Sequence, residues 1–218
     1  MKEKARFQSM HELASPRPST RTEKTTEPYF GTYHHSTSAA SKKIRSIVKT
    51  MFTDAFASVP FRRDDELRIL DVGCGLGFLS CLSAEFYKNA RITGFDMFKH
   101  ASLKGSSLKR AKENARILGF SDRIEFKKGD VFRFRPTEKF DIILSNLVFH
   151  NFGKKRFKVY SRLSSWAQAG SFVVMGDLFF SPKNDIAQLK KAFRILKEIK
   201  PRNDFERYAV LVMSKDYG

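Results

Sequence analysis

Between residues 41 and 57 the apolar residues Ile44, Ile47, Val48, Met51, Phe52, Ala55 and Phe56 recur at spacings of three and four, with Lys and Arg opposite. That period predicts one helix with one buried face, ended by Pro60. Beyond the charged loop from Arg62 to Glu66 the period changes, and short apolar runs alternate with segments of helical pattern. The runs are Arg68 to Val72, Arg91 to Phe95, Arg123 to Lys127, Phe140 to Ser145 and Ser171 to Met175. Five strand-and-helix repeats predict a parallel sheet. The helix before the third run has Ser106 as its cap, Leu108, Ala111, Ala115 and Leu118 as its inner stripe, and Gly119 as its stop. Phe193 to Ile199 and Arg207 to Met213 are strand-like again, joined by a turn around Pro201, Arg202, Asn203 and Asp204. Too few residues separate them for a helical crossover, so this pair must be antiparallel. The fold class is therefore α/β, a mostly parallel sheet closing with a C-terminal hairpin and preceded by an N-terminal helical extension.

Ahead of the first helix the pattern is lost. Residues 1 to about 28 are rich in Ser, Thr, Glu, Lys, Arg and Pro without apolar periodicity, which predicts a mobile basic tail. An aromatic cluster of Tyr29, Phe30 and Tyr33, then His34, His35 and a Ser/Thr group able to cap a helix, opens a segment over 29 to 60. A chain of 218 residues has room for one core with a short extension. No apolar run approaches the roughly 18 to 20 residues that cross a bilayer, and the polar start lacks a signal-peptide core. A soluble, cytoplasmic protein is expected. The two cysteines, Cys74 and Cys81, make neither a disulfide framework nor a four-ligand metal site and read as free thiols, so no metal centre is expected. The formal charge of +18 favours polyanions such as RNA, although basic residues scattered through every segment also suit ordinary solvated helix faces.

Chemistry concentrates after the first strand. Ile69-Leu70-Asp71-Val72-Gly73-Cys74-Gly75-Leu76-Gly77 is an apolar strand running into a three-glycine turn before a helix over Phe78 to Tyr87. Glycines permit strained backbone and close ligand approach, and the helix N-terminus offers unpaired N–H groups. The spacing Gly-x-Gly-x-Gly departs from that of dinucleotide dehydrogenases, and Asp71 stands where a carboxylate could meet positive charge on a ligand. About twenty residues on, Asp96 ends the second strand, followed by Met97, where a ribose-binding carboxylate is expected. The third strand ends near Gly129-Asp130-Val131 and the fourth at Ser145-Asn146. All four places are C-terminal strand ends, the edge at which open parallel sheets bind ligands.

In order and spacing these motifs resemble those of the class I S-adenosylmethionine (SAM) dependent methyltransferases, over roughly Leu67 to Gly218. The resemblance implies a doubly wound, seven-stranded sheet with one antiparallel strand, in a methyltransferase domain over 61 to 218. It implies SAM as cofactor, with Asp71, Gly73, Cys74, Gly75 and Gly77 around its methionine part and Asp96 and Met97 at the ribose. Asp130 and the Val131 backbone would meet the adenine, and Ser145 and Asn146 would border the methyl group. Asp130 could equally cap the segment that follows it.

Methyl transfer needs alignment of the nucleophile and, where it carries a proton, a base. His150, in Asn146-Leu-Val-Phe-His-Asn-Phe152, is the candidate, in a loop expected to face the methyl group; capping or packing is its plainer role. Extensions such as the one carrying His34 and His35 often close over the cofactor in this superfamily, and either histidine could instead simply be exposed. The Ser-Asn-Leu-Val sequence differs from the Asn-Pro-Pro-Tyr type that positions planar amino groups, which weighs against an N6-adenine enzyme. A small-molecule acceptor is the first expectation, with RNA methylation and a non-catalytic SAM-binding role as alternatives; oligomeric state stays open.

Overall fold

The first amphipathic segment folds as α1, Ser38–Ala57, entered through Thr37, whose hydroxyl accepts the Ala40 N–H. Val48, Met51, Phe52, Ala55 and Phe56 are buried along its inner face, as their spacing predicts. The computed structural model describes residues 26–99, 102–201 and 207–215; the expected tail up to residue 25 and most of the turn around Pro201 lie outside them.

The strands are β1 Arg68–Val72, β2 Arg91–Asp96, β3 Ile124–Lys128, β4 Phe140–Asn146, β5 Ala167–Leu178, β6 Arg194–Ile199 and β7 Tyr208–Ser214. They form one seven-stranded sheet in the order β3-β2-β1-β4-β5-β7-β6. β1 to β5 pair in parallel, and β7 runs antiparallel to both of its neighbours. The sheet is the one expected, doubly wound and mostly parallel with a C-terminal antiparallel strand. Continuous apolar runs suit strands buried on both faces. Ile69 packs with Phe52, Phe56 and Leu79 on one side, and its neighbour Leu70 with Val159, Leu163 and Trp166 on the other. The first layer holds α1, α2 (Phe78–Phe86) and α3 (Leu108–Ile117), and the second holds α4 (Arg156–Trp166) and α5 (Pro182–Leu189).

Three sequence expectations need correction. No helix forms among residues 129–139. The Asp130 carbonyl accepts the N–H groups of Arg133 and Phe134, its carboxylate accepts that of Phe132, and Phe134 then stacks on Phe95 at 4.1 Å. A tight turn that drives aromatic residues into the core leaves no room for a helical crossover. The α3 cap is Ser107, whose Oγ accepts the Arg110 N–H, rather than Ser106. Leu118 ends α3 on the solvent side, while Asn114 occupies the inner face, 1% exposed. Finally, β5 begins at Ala167, four residues before the apolar run that announced it.

The N-terminal extension crosses the sheet's C-terminal edge. Thr32–Tyr33 pairs antiparallel with Leu103–Lys104 from the loop after β2. Asn114 holds the extension in place: its Oδ1 accepts the Tyr29 N–H, and its amide donates to the carbonyls of Tyr29 and Leu76.

Candidate cofactor and transfer site

Where the strand order reverses, between β1 and β4, the following loops part and leave a cleft, the usual ligand position in such sheets. A cavity of about 670 Å³ lies there, with Gly73, Gly75, Asp96, Met97, Val131, Asn146 and His150 among its lining residues. Tyr33, His34 and His35 of the extension line it as well. The two imidazoles lie with their centroids 3.7 Å apart, and His35 adopts a left-handed φ of 58°.

The glycine turn is shaped by contacts that allow no side chain. Gly73 has φ +74°, and a Cβ there would sit 2.3 Å from Cγ2 of Val148. Its N–H and that of Cys74 both donate to the Phe95 carbonyl, which joins the ends of β1 and β2. The Gly75 N–H donates to Asp96 Oδ2 at 3.0 Å, and the Phe98 N–H donates to Asp96 Oδ1 at 2.5 Å. Two backbone donors thus fix the Asp96 carboxylate at the cavity wall, and each oxygen keeps further acceptor capacity for a diol.

The other expected residues divide. Asp71 is 1% exposed and does not line the cavity. It accepts the Ser80 hydroxyl at 2.6 Å behind the glycine turn, and burial, opposed by that bond and assisted by the nearby Asp96 charge, pushes its carboxyl up to about 7. Cys74 and Gly77 also lie outside the lining, Cys74 as a buried thiol pushed well up by burial, Gly77 as the left-handed N-cap of α2. Asp130 is occupied in its turn, so Val131 and Gly129 form the wall on that side. Ser145 is buried and donates to the Val72 carbonyl, whereas Asn146 reaches the cavity with its Oδ1 accepting the Tyr208 hydroxyl at 2.7 Å. Among the described residues no cluster of His, Cys, Asp and Glu could hold a metal ion.

His150 brings in a residue the sequence reading missed. Its Nδ1 lies 2.5 Å from Oδ1 of Asp177, near the end of β5 and 1% exposed. Asp177 also accepts the backbone N–H groups of Phe149, His150 and Leu178. The run Ser171 to Met175 stops two residues short of Asp177, so the only signal for it was an acid following an apolar strand.

Residues 63–207 match a family model described as a methyltransferase domain. Among curated proteins, the chain is 33% identical over 86 residues to a tRNA1(Val) (adenine(37)-N6)-methyltransferase of Vibrio cholerae, covering 39% of this chain and 33% of that one. It is 34% identical over 95 residues to a trans-aconitate 2-methyltransferase of Streptomyces coelicolor, covering 44% and 29%. These matches span about a third of the curated relatives' length. Among solved structures, the ribosomal protein L11 methylase of Lactobacillus delbrueckii subsp. bulgaricus aligns with TM-score 0.60 and 19% identity over 78% of this chain and 79% of that one. The N-methyltransferase NodS of Bradyrhizobium japonicum, a complex with S-adenosyl-l-homocysteine (SAH), aligns with TM-score 0.59 and 12% identity over 82% and 88%. At such identities the likeness is one of fold.

Proposed function

The chain belongs to the methyltransferase-domain family, of the class I SAM-dependent type, and from that premise we propose that it moves the SAM methyl group onto an oxygen or nitrogen whose proton His150 removes. The cradle fits the cofactor. Gly73 and Gly75 line the cavity with left-handed φ at positions where a Cβ would collide with Val148 and Leu103, and Asp96 presents a carboxylate already oriented by two N–H groups. In this reading Asp96 and Met97 hold the ribose, the wall at Val131 the adenine, and the glycine turn with Asn146 the methionine part. Asp71, Cys74, Gly77, Asp130 and Ser145 act from behind as supports of those loops. SAM, when bound, supplies a methyl carbon activated by its sulfonium.

The observation that carries the proposal is the His150–Asp177 pair. Three backbone N–H groups converge on the Asp177 carboxylate, an acceptor only, and His150 Nδ1 lies 2.5 Å from the same group. The imidazole proton is then held on Nδ1, which leaves Nε2 as the basic atom of a ring lining the cavity. Asp177 is a positioning residue for that tautomer. A small organic acceptor is the first choice, because the cavity falls within the roughly 300 to 1,000 Å³ of small-molecule sites and is roofed by the extension. An RNA acceptor is the second reading, favoured by the charge of +18 and the likeness to tRNA methyltransferases.

Transfer of labelled methyl groups to a panel of small phenols, hydroxy acids and amines tests the assignment, with calorimetric SAH titration alongside. His150→Gln is expected to keep SAH affinity within about twofold and to lower turnover by about 10² to 10⁴. Asp177→Asn is expected to lower kcat with little change in KM and to alter the pH profile. Undiminished turnover in His150→Gln would remove the base from the mechanism.

A further inference from the structure

Tyr208 opens β7, and its hydroxyl bonds to a residue two strands away. β5 lies between β7 and β4, with its Leu178 opposite Tyr208 and its Gly176 opposite Asn146. The Tyr208 hydroxyl donates to Asn146 Oδ1 at 2.7 Å and crosses β5 at Gly176 to do so. A Cβ at Gly176 would lie 2.3 Å from Tyr208 Oη, 2.9 Å from Asn146 Oδ1 and 2.8 Å from Cε2 of Phe52 on α1. Any side chain at that position would part the two groups.

Tyr208 is 3% exposed, and burial, with Tyr33 and Asp177 adding to it, pushes its hydroxyl well above the ordinary phenol range. The hydroxyl therefore keeps its proton. A phenylalanine would fill the same space with no polar atom to satisfy; what the oxygen adds is a donor to Asn146.

The consequence falls on the other end of the amide. With Oδ1 held by Tyr208, Asn146 Nδ2 has no partner among the described residues and is not sealed from the cavity that Asn146 lines. Its two N–H donors are left for a ligand. β1 and β4 pair through Asp71 and Leu144, and the Ser145 hydroxyl donates to the Val72 carbonyl, so the next step of that register sets Asn146 beside Gly73 at the glycine turn. Among the described residues that line the cavity, Asp96 is the one acid and there is no Lys or Arg. The carboxylate of a bound SAM thus meets no Lys or Arg there, and an amide turned this way suits an anion and not a cation.

We propose that Tyr208 is a positioning residue: across Gly176 it turns the Asn146 amide so that its N–H groups hold the methionine carboxylate of SAM. The proposal rests on the reading that places the methionine part between the glycine turn and Asn146.

Calorimetric titration of the full-length protein with SAH and with decarboxylated SAH, which keeps the adenosine, the chain and the ammonium, tests it without turnover. The native sequence is expected to prefer SAH by more than about tenfold. Tyr208→Phe should weaken SAH by about three- to tenfold and leave the decarboxylated ligand within about twofold. Asn146→Asp keeps an acceptor for Tyr208 and sets an anion against the carboxylate, so the preference is expected to reverse. Equal losses of both ligands in Tyr208→Phe would make the hydroxyl a prop of the fold, and unchanged SAH affinity would take it out of the site; either result overturns the proposal. An Asn146→Asp variant that binds both ligands as the native sequence does would remove Asn146 from the methionine part, and with it the underlying reading. Selective loss of SAH in Asn146→Asp without one in Tyr208→Phe would spare that reading and defeat only the role of Tyr208.

Discussion

At the scale of single residues the site is built on a carboxyl that never meets the cavity. Burial, opposed by the one hydroxyl bond from Ser80 and assisted by the nearby charge of Asp96, pushes the Asp71 carboxyl up to about 7, well above the ordinary carboxylate range. The fold thus binds this proton more tightly than the unfolded chain does. Its contribution favours the native state below about pH 4, declines as pH rises from about 4 to 7, and above about 7 the native state carries the whole cost of a buried charge. Asp71→Asn keeps an acceptor for Ser80 and removes the titration. Urea unfolding at pH 5 and pH 8 should find the variant gaining on the native sequence as pH rises, by a few kcal/mol at most. Parallel stability profiles for the two proteins would show that Asp71 does not titrate in this window. Gly73 is constrained differently, by φ +74° and by the methyls of Val148, so it is fixed by shape where Asp71 is fixed by its hydrogen bond from Ser80.

At the scale of elements, the extension is a separate piece of chain tied down at few points. Asn114 on α3 makes two of those ties, both to Tyr29, while also donating to the Leu76 carbonyl of the glycine turn, and buried Arg45 on α1 donates to the Phe30 carbonyl. Asn114→Ala suits the helix but leaves those backbone groups without partners, a cost of about 1 to 3 kcal/mol. Hydrogen exchange is expected to speed up at residues 29–36 and stay slow in β1 and β4, with weaker SAH binding. Uniformly faster exchange would mean that Asn114 supports the whole core instead. Elements with a strong period, α1 and the central strands, were legible from sequence because burial on one or both faces dictates residue type. Residues 129–139 were misread because Asp130 caps a single turn, its carbonyl accepting the N–H groups of Arg133 and Phe134, that goes no further before Pro136. Asn114 was passed over because a polar residue on an inner face is readable only through its partners, which lie 85 and 38 residues away. The glycine turn, Asp96 and His150 could be read as a local motif; Asp177 could not, since its role exists only across 27 residues of chain.

At the scale of the molecule, the cavity gathers residues from Tyr33 to Leu178, so whatever fills it couples the extension, β1, β2, β4 and β5. A ligand that binds only the folded chain stabilises it by mass action, about 2.7 kcal/mol at a hundred times its Kd. In a domain of this size each kcal/mol moves Tm by roughly 2 to 4 °C, so SAH at that level is expected to raise Tm by roughly 5 to 11 °C. NAD at the same concentration should give no shift, because the turn has the Gly-x-Gly-x-Gly spacing and its second glycine donates to Asp96. Asp96→Ala removes a charge-assisted acceptor worth on the order of 1.5 to 3 kcal/mol to the ligand, and at the same SAH concentration it should lose most of the shift. The variant's own Tm without ligand separates this from a loss of fold, since the Gly75 and Phe98 N–H groups also lose their acceptor. A shift as large in Asp96→Ala as in the native sequence would place the ribose elsewhere in the cavity, whereas a shift with NAD would undo the reading of the glycine turn on which the cofactor assignment depends.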